Sequence, residues 1–372
     1  MPAFVQVMRT KAPGATAPGA AALGATALGA ALLLAGCATT APVSAPASSA
    51  APSPEMAAAA ARNVAAQETL TKMVSLQDRL YRVAAPLLIN NADLCKSQAR
   101  NLLGFTAKNK YSYPGEFAEA AQTALGYGER LQVSGVLAGS GAAAGGLRAG
   151  DGLLTVEGKA LPSGANAESQ AAAILGPLVT GRASLHMTIA RGDATQALVV
   201  PVTRACAFRV DLGNADNVNS YADGQRVLIT RGMITFAQND ESIAYVLAKD
   251  MAHNILGHAV TQRSTGTLAG IIDNLNNVRP DVSVLVGSAG IKAMPQEMDA
   301  AADRLALYML ARGGYNIDNV AYFWQRLTAQ YPASVLNSYT ANHPATLYRV
   351  AAINKTVAEI KAKRAAKRPL TP

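Results

Sequence analysis

The pattern of apolar residues changes along the sequence, and this change constrains the fold more than any single residue does. Between about residues 116 and 204, short apolar runs alternate with glycine turns, a pattern typical of small β-rich units. From about residue 209 onward, apolar residues recur at three- and four-residue spacing, which predicts helices. The same spacing predicts a helical stretch ahead of the glycine-rich region. Together these patterns predict an α+β fold with an N-terminal helix, a small β-rich domain and a mainly helical C-terminal domain.

The chain has 372 residues, more than one compact core usually contains, so we expect several parts. These are a signal peptide at 1–37, a disordered tether at 38–54, a helical region at 55–115, the β-rich domain at 116–205 and the helical domain at 206–372. The periodicity at 55–85 predicts one long helix or two shorter ones, which Pro86 ends or kinks. A strand is predicted at 226–230. Further helices are predicted at 240–260, with Asp240 as its cap, and at 295–313, 319–330 and 345–366.

The first residues predict export and lipid attachment. A positively charged start precedes an apolar stretch at 20–34, which is too short and too rich in glycine for a permanent membrane span. The stretch ends in Leu34-Ala35-Gly36-Cys37, which resembles a lipobox, so Cys37 becomes the lipid-bearing N-terminus after cleavage. Ala38 is not the Asp associated with inner-membrane retention, which predicts the outer membrane, facing the periplasm. The alternative is a plain secretory signal in which the cysteine is incidental.

Export has a consequence for the two other cysteines, Cys95 and Cys206. In an oxidising periplasm they are a candidate disulfide, and only one intramolecular pairing is open to them. Two buried free thiols remain the alternative.

The net charge of +9 raises the question of a nucleic-acid partner. The densest basic run has no aromatic residues interleaved for stacking on bases, so we expect no nucleic-acid binding. It is interpreted as a solvated helix end, with contact to anionic phospholipids as the alternative. This run consists of Lys361, Lys363, Arg364, Lys367 and Arg368.

The glycine-rich region has a recognisable order. An apolar run at 131–136 is followed at 139–158 by small residues, a turn ending in Gly150-Asp151, and a second apolar run that closes on Gly158. This order resembles a bacterial PDZ domain. The resemblance implies a strand edge to which an extended polypeptide adds through main-chain hydrogen bonds.

Four residues lie where the carboxylate-binding loop of that family would precede the strand. They are Leu125, Gly126, Tyr127 and Gly128. The resemblance implies that they bind peptide, and the expected partners are unfolded or extended polypeptides of the periplasm and outer membrane. The alternative is an ordinary glycine turn in a domain that only packs against its neighbour.

The helix predicted at 240–260 carries the pattern Lys249-Asp250-Met251-Ala252-His253. Zincin peptidases place two zinc-binding histidines at i and i+4 of one helix, with a glutamate at i+1 that takes a proton from metal-bound water. Together with its flanking residues, the helix resembles the zinc metallopeptidase family M-48, which contains the CAAX prenyl protease and periplasmic quality-control peptidases.

The resemblance continues downstream, as far as about residue 357. Asp299 stands where the family has its third zinc ligand, a glutamate, and Asp303 where a carboxylate orients a ligand histidine. His343 and Arg349 match a C-terminal histidine-proline segment, in which the histidine could steady a developing oxyanion.

Three chemically essential positions depart from the family pattern, and only His253 is unchanged. Asp250 replaces the general base and Asp299 replaces the ligand glutamate, each one methylene shorter. Lys249 replaces a ligand histidine, and it could bind zinc only as a neutral amine. We therefore favour an interpretation in which Lys249 occupies the place of the metal and pairs with Asp299 or Asp250.

Three hypotheses follow from these departures. The first is a non-catalytic, polypeptide-binding pseudopeptidase in protein quality control, without a cofactor. The second is an active zinc metalloendopeptidase acting on envelope proteins, in which Lys249 or His258 completes the ligands and Asp250 is the base. The third is a lipoprotein of purely structural role. His258 is otherwise interpreted as a polar residue at a helix end, and His186 as a surface residue.

Overall fold

The computed structural model describes residues 53–259, 265–286, 293–334 and 338–372. Cys37, the signal peptide and nearly all of the tether lie outside these residues, so the lipid anchor stays a prediction. Among the described residues, Asn63–Pro372 belong to one compact unit and residues 53–62 to a second. In the described ranges, no helix combines the length and apolar composition that crossing a membrane requires.

The N-terminal helix, α1, runs from Pro54 to Ile89 and continues through Pro86. Of the two expectations for Pro86, that it ends or kinks the helix, the first is therefore wrong. A proline removes one backbone donor, but here the last turn is held by its burial and by a side chain beyond it. Leu87 is fully buried, and the Asn91 amide donates to the carbonyl oxygens of Leu87 and Met309.

Two short strands join the helical and β-rich parts of the chain. Strand β1 (Ala99–Leu102) pairs antiparallel with β8 (Thr203–Cys206), in a register that sets Ala99 beside Cys206 and Leu102 beside Thr203. A disulfide links Cys95 to Cys206 across 111 residues of sequence, and both residues are buried. We call this strand pair and its disulfide the neck.

The β-rich part is a six-stranded sheet with the order β2-β3-β4-β6-β7, in which β5 pairs with β4. It has a hydrophobic core of its own, including Leu131, Val133 and Ile189. The sheet begins at Phe105, ahead of residue 116, and the expected division into domains stays a prediction. Its strands are β2 (Phe105–Lys108), β3 (Gln132–Val136), β4 (Gly152–Val156), β5 (Lys159–Ala160), β6 (Ser184–Arg191) and β7 (Ala194–Pro201), and its helices are α2 (Glu116–Leu125), α3 (Gly141–Ala144) and α4 (Ala167–Gly181).

The expected peptide-binding loop at Leu125, Gly126, Tyr127 and Gly128 precedes an interior strand, and its role stays a prediction. Leu125 ends α2, Gly126 caps it with a left-handed φ of 69°, and Tyr127 is buried with its ring stacked on Tyr113. Strand β3, which follows, is interior because it pairs with both β2 and β4. A polypeptide cannot add to an interior strand, and the terminal strand on this side of the sheet is β2.

The C-terminal part is mainly helical around a three-stranded sheet with the order β10-β11-β9, in which β11 runs parallel to β9 and antiparallel to β10. The predicted α+β fold is confirmed. The strands are β9 (Arg209–Gly213), β10 (Ser220–Ala222) and β11 (Arg226–Thr230). The helices are α5 (Arg231–Ala237), α6 (Asp240–Ile255), α7 (Thr265–Leu275), α8 (Ser283–Val286), α9 (Gln296–Arg312), α10 (Val320–Gln330), α11 (Tyr339–Asn342) and α12 (Leu347–Ala365).

Helix α6 is the central element of this part. Its cap is Asn239, whose side chain accepts from the Ser242 N–H at 2.8 Å, whereas Asp240 forms an ion pair with Arg79. The expected cap therefore lies one residue too late. Every residue from Ser242 to Asn254 is buried. Because α6 is buried on all sides, its polar side chains need partners inside the protein.

Candidate functional site

The predicted site residues meet between three helices and one turn. Helix α6 provides Lys249, Asp250 and His253, α9 provides Asp299 and Asp303, the turn after α11 provides His343, and α12 provides Arg349. All seven side chains are buried. The structure therefore brings the residues of the metallopeptidase resemblance together, although they are separated by up to 100 positions (249 to 349) in the sequence.

Lys249 lies at the centre of this group. Its Nζ is 2.8 Å from Asp299 Oδ1 and 3.2 Å from Asp303 Oδ1, and it lies 5.4 Å from the centroid of the Trp324 ring. The cation is thus held between two carboxylates one turn apart on α9. Of the two pairings open in the sequence analysis, the one with Asp299 is present, and the described residues show no ion pair between Lys249 and Asp250.

Arg349 completes the ion-pair network from the other side. Its Nε lies 2.7 Å from Asp303 Oδ2 and its Nη2 3.1 Å from Asp303 Oδ1, while Nη1 donates to the His343 carbonyl at 2.9 Å. Burial opposes the ionisation of Asp303, but Arg349 and Lys249 outweigh it and hold the pKa of Asp303 below its usual value. Asp303 therefore orients the residue at the ligand position, which here is a lysine.

Asp299 is shared by several groups. Its Oδ1 accepts from Lys249 and lies 2.7 Å from His343 Nδ1. An ionised carboxylate only accepts hydrogen bonds, so Nδ1 of His343 carries the proton. Burial opposes the ionisation of Asp299 as well, yet the charge of Lys249 keeps its pKa well below the ordinary value. The role of His343 at an oxyanion stays a prediction.

Beside the ion-pair network, the site contains a pair of histidines. His253 Nδ1 and His258 Nδ1 are 3.0 Å apart, so one ring donates and the other accepts. His258 is only 7% exposed, which corrects its interpretation as a polar helix end. Gly257, with a left-handed φ of 72°, turns the chain back over α6 and brings His258 to His253.

The two histidines differ in what surrounds them. His253 Nε2 lies 3.3 Å from Asp299 Oδ1 but lacks the alignment of a hydrogen bond. Burial lowers the pKa of His253 to about 3 and also lowers the pKa of His258. Both imidazoles are therefore neutral near pH 7, and neither adds a cation to the site.

Asp250 stands at the position of the general base. Burial raises its pKa to about 7, against the opposing effects of the Ser220 hydroxyl and Lys249. Its Oδ2 is buried and has no hydrogen-bond partner among the described residues. A pKa near neutrality suits a general base, but it is also what burial alone gives a carboxyl group without a basic partner.

A small cavity of about 30 Å³ lies beside the ion-pair network. Asp250, His253, His258 and His343 line it, together with strand β10 and Asn342, whereas Lys249 and Asp299 do not. The sequence analysis assigned no site role to Ser220 or Asn342, and it named His258 only as an alternative zinc ligand. Their positions depend on how β10 and two turns pack against α6, which no local pattern encodes.

Three side chains of the site resemble a metal-ligand set. Candidate ligand atoms of His253, Asp299 and His343 all lie within 4.8 Å of one another, and two histidines with a carboxylate suit zinc. A zinc ion bound at roughly 2.0 Å to Asp299 Oδ1 could lie no farther than about 4.8 Å from the Lys249 ammonium, which is 2.8 Å from that oxygen. At an effective dielectric constant of about 20, their repulsion is about 7 kcal/mol.

The buried charges lead to the same conclusion. Lys249 and Arg349 already balance Asp299 and Asp303. A divalent ion would leave an excess of positive charge in a site with little water to screen it. As arranged, with Lys249 protonated, these residues do not fit a zinc ion.

The fold and the site define a class of protein. The C-terminal part is metallopeptidase-like in three features. It has a buried helix with the degenerate motif, a second helix with two carboxylates, and a small sheet whose terminal strand passes the cavity. Residues 182–357 match the family model for Peptidase family M48, a family that is typically zinc-dependent. This part of the chain is therefore M48-peptidase-like. None of the curated proteins compared with the chain matches it.

Proposed function

We propose that the protein is a lipid-anchored pseudopeptidase of the cell envelope, which binds extended polypeptides without cleaving them. The observation that carries this proposal is the buried ion pair between Lys249 and Asp299 at the position of a zinc ligand. An ammonium group has no lone pair for a metal, and here its charge already balances the carboxylate that would bind one. Hydrolysis by this class of enzyme depends on the metal to activate water and polarise the carbonyl.

Polypeptide binding is supported by one terminal strand in each of the two larger sheets. Strand β10 ends the three-stranded sheet and lines the cavity, and β2 ends the six-stranded sheet. Extended chains add to terminal strands through main-chain hydrogen bonds, a mode that tolerates many sequences. The partners we propose are unfolded or extended polypeptides of the periplasm and outer membrane, with the lipid on Cys37 as the anchor and protein quality control as the setting.

One observation favours a second function. His253, Asp299 and His343 could converge on an ion if Lys249 lost its proton or moved away. The chain would then be an active zinc endopeptidase acting on envelope proteins. Separating these functions requires metal content and cleavage to be measured on the same preparation.

The experiment uses the purified full chain, in detergent if it carries lipid. We expect no stoichiometric zinc, no chelator-sensitive cleavage of reduced, unfolded α-lactalbumin, and slower aggregation of that substrate. Stoichiometric zinc together with cleavage that is lost in Asp250→Ala would overturn the proposal and establish the peptidase. No effect on aggregation would overturn the binding role.

A restored variant serves as the matched positive control. Lys249→His combined with Asp250→Glu and Asp299→Glu recreates the ligand and base types of the family. We expect this variant to bind zinc, as measured by metal analysis after dialysis. Zinc in the restored variant but not in the wild type assigns the loss of metal to these positions.

A further inference from the structure

The cavity beside the ion-pair network has an unusual set of unpaired atoms on its wall. Asp250 Oδ2, His253 Nε2, Asn342 Oδ1 and Ser220 Oγ are buried and have no hydrogen-bond partner among the described residues. All four side chains line the cavity, and they are 3%, 4%, 7% and 7% exposed. Buried polar atoms in native proteins are nearly always paired, so this concentration indicates a polar group that enters the cavity.

All four atoms can accept a hydrogen bond, and the Ser220 hydroxyl can also donate one. Asp250 Oδ2 and Asn342 Oδ1 are oxygens of a carboxyl and an amide group. For His253, a proton on Nδ1 is shared with His258 at 3.0 Å, whereas a proton on Nε2 would have no aligned acceptor. The tautomer protonated at Nδ1 leaves Nε2 as an acceptor, and it is the one that the ligand-bound site requires.

The charge of the surroundings selects the ligand further. Asp299 and Asp303 are each paired with a buried cation, but no basic side chain among the described residues pairs with Asp250. A single positive charge bound there would balance the Asp250 carboxylate. A divalent ion would again leave an excess of positive charge beside Lys249.

Size limits the choice to a small head group. A cavity of about 30 Å³ holds roughly two water-sized groups, so an aromatic ring is too large. A primary ammonium fits this space, carries one positive charge, and offers three donors and no acceptor. Asp250, His253 and Asn342 can accept from these three donors, with the Ser220 hydroxyl as a fourth acceptor, whereas a water would bring only two donors.

The neighbouring strand is the route that the polypeptide-binding role implies for the ligand. Ser220, Tyr221 and Ala222 form β10, the terminal strand, and all three line the cavity. A polypeptide that adds to β10 presents side chains, or its own first residue, to the cavity mouth. The ammonium group then comes from a lysine side chain or from a chain N-terminus.

We propose that this cavity binds a primary ammonium group of a polypeptide, with Asp250, His253 and Asn342 as the acceptors. The inference rests on the proposed role in polypeptide binding, and it adds the chemical class that the site recognises. The resemblance implies that the residue at position 250 is a proton acceptor in the related peptidases. In this protein Asp250 binds the ammonium group instead.

The test compares matched fluorescent decapeptides of extended, uncharged sequence by anisotropy with the full chain. The first peptide has a free N-terminus and a central lysine. The second has an acetylated N-terminus and the lysine, and the third has a free N-terminus and norleucine in place of the lysine. The last peptide has both an acetylated N-terminus and norleucine, and so carries no ammonium group. We expect the last to bind at least tenfold more weakly than the first. The two single-ammonium peptides distinguish the N-terminus from the lysine as the source.

Two variants give the comparison its control. Asp250→Asn removes the carboxylate with little change of shape and is expected to reduce the tenfold preference to less than twofold. Asp193→Asn changes an exposed carboxyl in the turn between β6 and β7 and should leave the preference unchanged. If Asp250→Asn does not fold, Asn342→Ala replaces it and is expected to lower the preference at least threefold.

A small probe separates failure of this inference from failure of the proposed function. n-Butylammonium should raise the melting temperature of the wild type but not of Asp250→Asn, and n-butanol should raise neither. If all four peptides bind equally, the ammonium site is wrong although polypeptide binding stands. If no peptide binds but n-butylammonium stabilises the chain through Asp250, the site stands and the binding role fails. Displacement of n-butylammonium by stoichiometric zinc would overturn the ammonium site.

Discussion

Lys249 Nζ lies 2.8 Å from Asp299 Oδ1, and both side chains are about 1% exposed. A lysine therefore provides the positive charge at a position where the related peptidases have a histidine and a metal. Breaking a buried ion pair by removing one partner is costly, because the remaining charge has neither water nor a counterion. The stability of the C-terminal part should accordingly depend on this lysine.

We expect Lys249→Met to lower the free energy of unfolding by about 3–5 kcal/mol, because Asp299 would lose its closest cation and Asp303 one of its two. Urea unfolding at pH 7 measures the change. The matched control is Lys361→Met, since Lys361 pairs with Asp318 on the surface, where both side chains are at least half exposed. Equal effects of the two substitutions would contradict the buried ion pair as a source of stability.

Asp250 predicts a pH dependence. Because burial raises its pKa from 3.8 to about 7, the folded protein holds this proton more tightly than the unfolded chain does. The stabilisation from this proton is complete below about pH 4, declines as the pH rises and is lost above about pH 7. Three pKa units correspond to about 4 kcal/mol.

The measurement compares Asp250→Asn with the wild type at several pH values. We expect the variant to have nearly wild-type stability at pH 4.5 and to be more stable than the wild type at pH 8. A stability difference that does not change between these pH values would show that Asp250 titrates normally. The lowered pKa of His253 acts below pH 6.5 in both proteins and cancels in the comparison.

The neck disulfide should contribute strongly to stability. Cys95 and Cys206 close a loop with a sequence separation of 111, and a crosslink of this length stabilises by up to about 4.7 kcal/mol by restricting the unfolded chain. Replacing both cysteines by alanine should lower the free energy of unfolding by about 2–4 kcal/mol. Reductant should destabilise the wild type and leave the double variant unchanged. A response of the double variant to reductant would mean that another thiol is involved.

Gly232 tests the packing that places the edge strand. A Cβ at this position would lie 2.1 Å from the Asp216 carbonyl oxygen, in the loop that leads to β10. Gly232→Ala should therefore cost about 2 kcal/mol or more in thermal or urea unfolding. Gly181→Ala is the control, because nothing lies within 4 Å of the added Cβ. A tolerated alanine at Gly232 would mean that this loop can move away from α5.

Sequence reasoning succeeded where the pattern was local or where a family motif fixed the spacing. The α+β fold, the strand at 226–230 and the pairing of Lys249 with Asp299 were predictable for this reason. It failed at Pro86, where tertiary burial of the last turn overrode a local helix breaker. It also failed at Asp240, because neighbouring Asn239 is an equally good cap.

Contacts between distant segments could not be predicted from the sequence patterns. The expected loop at 125–128 precedes an interior strand, because β3 pairs with Phe105–Lys108, far back in the chain. His258 was interpreted as a polar residue at a helix end, whereas α6 ends at Ile255 and the chain turns back to bring His258 to His253. Neither outcome can be read from helical or strand periodicity.

The register of the neck has a consequence for engineering. Leu102 and Thr203 are paired residues on adjacent antiparallel strands, so the whole segment 103–202 leaves and re-enters the C-terminal part at neighbouring points. Directly paired residues lie roughly 5 Å apart, a gap that a two-residue turn can close. The segment 103–202 could therefore be deleted or exchanged for another domain. The Cys95–Cys206 disulfide would still hold the paired strands β1 and β8 together at the point of insertion.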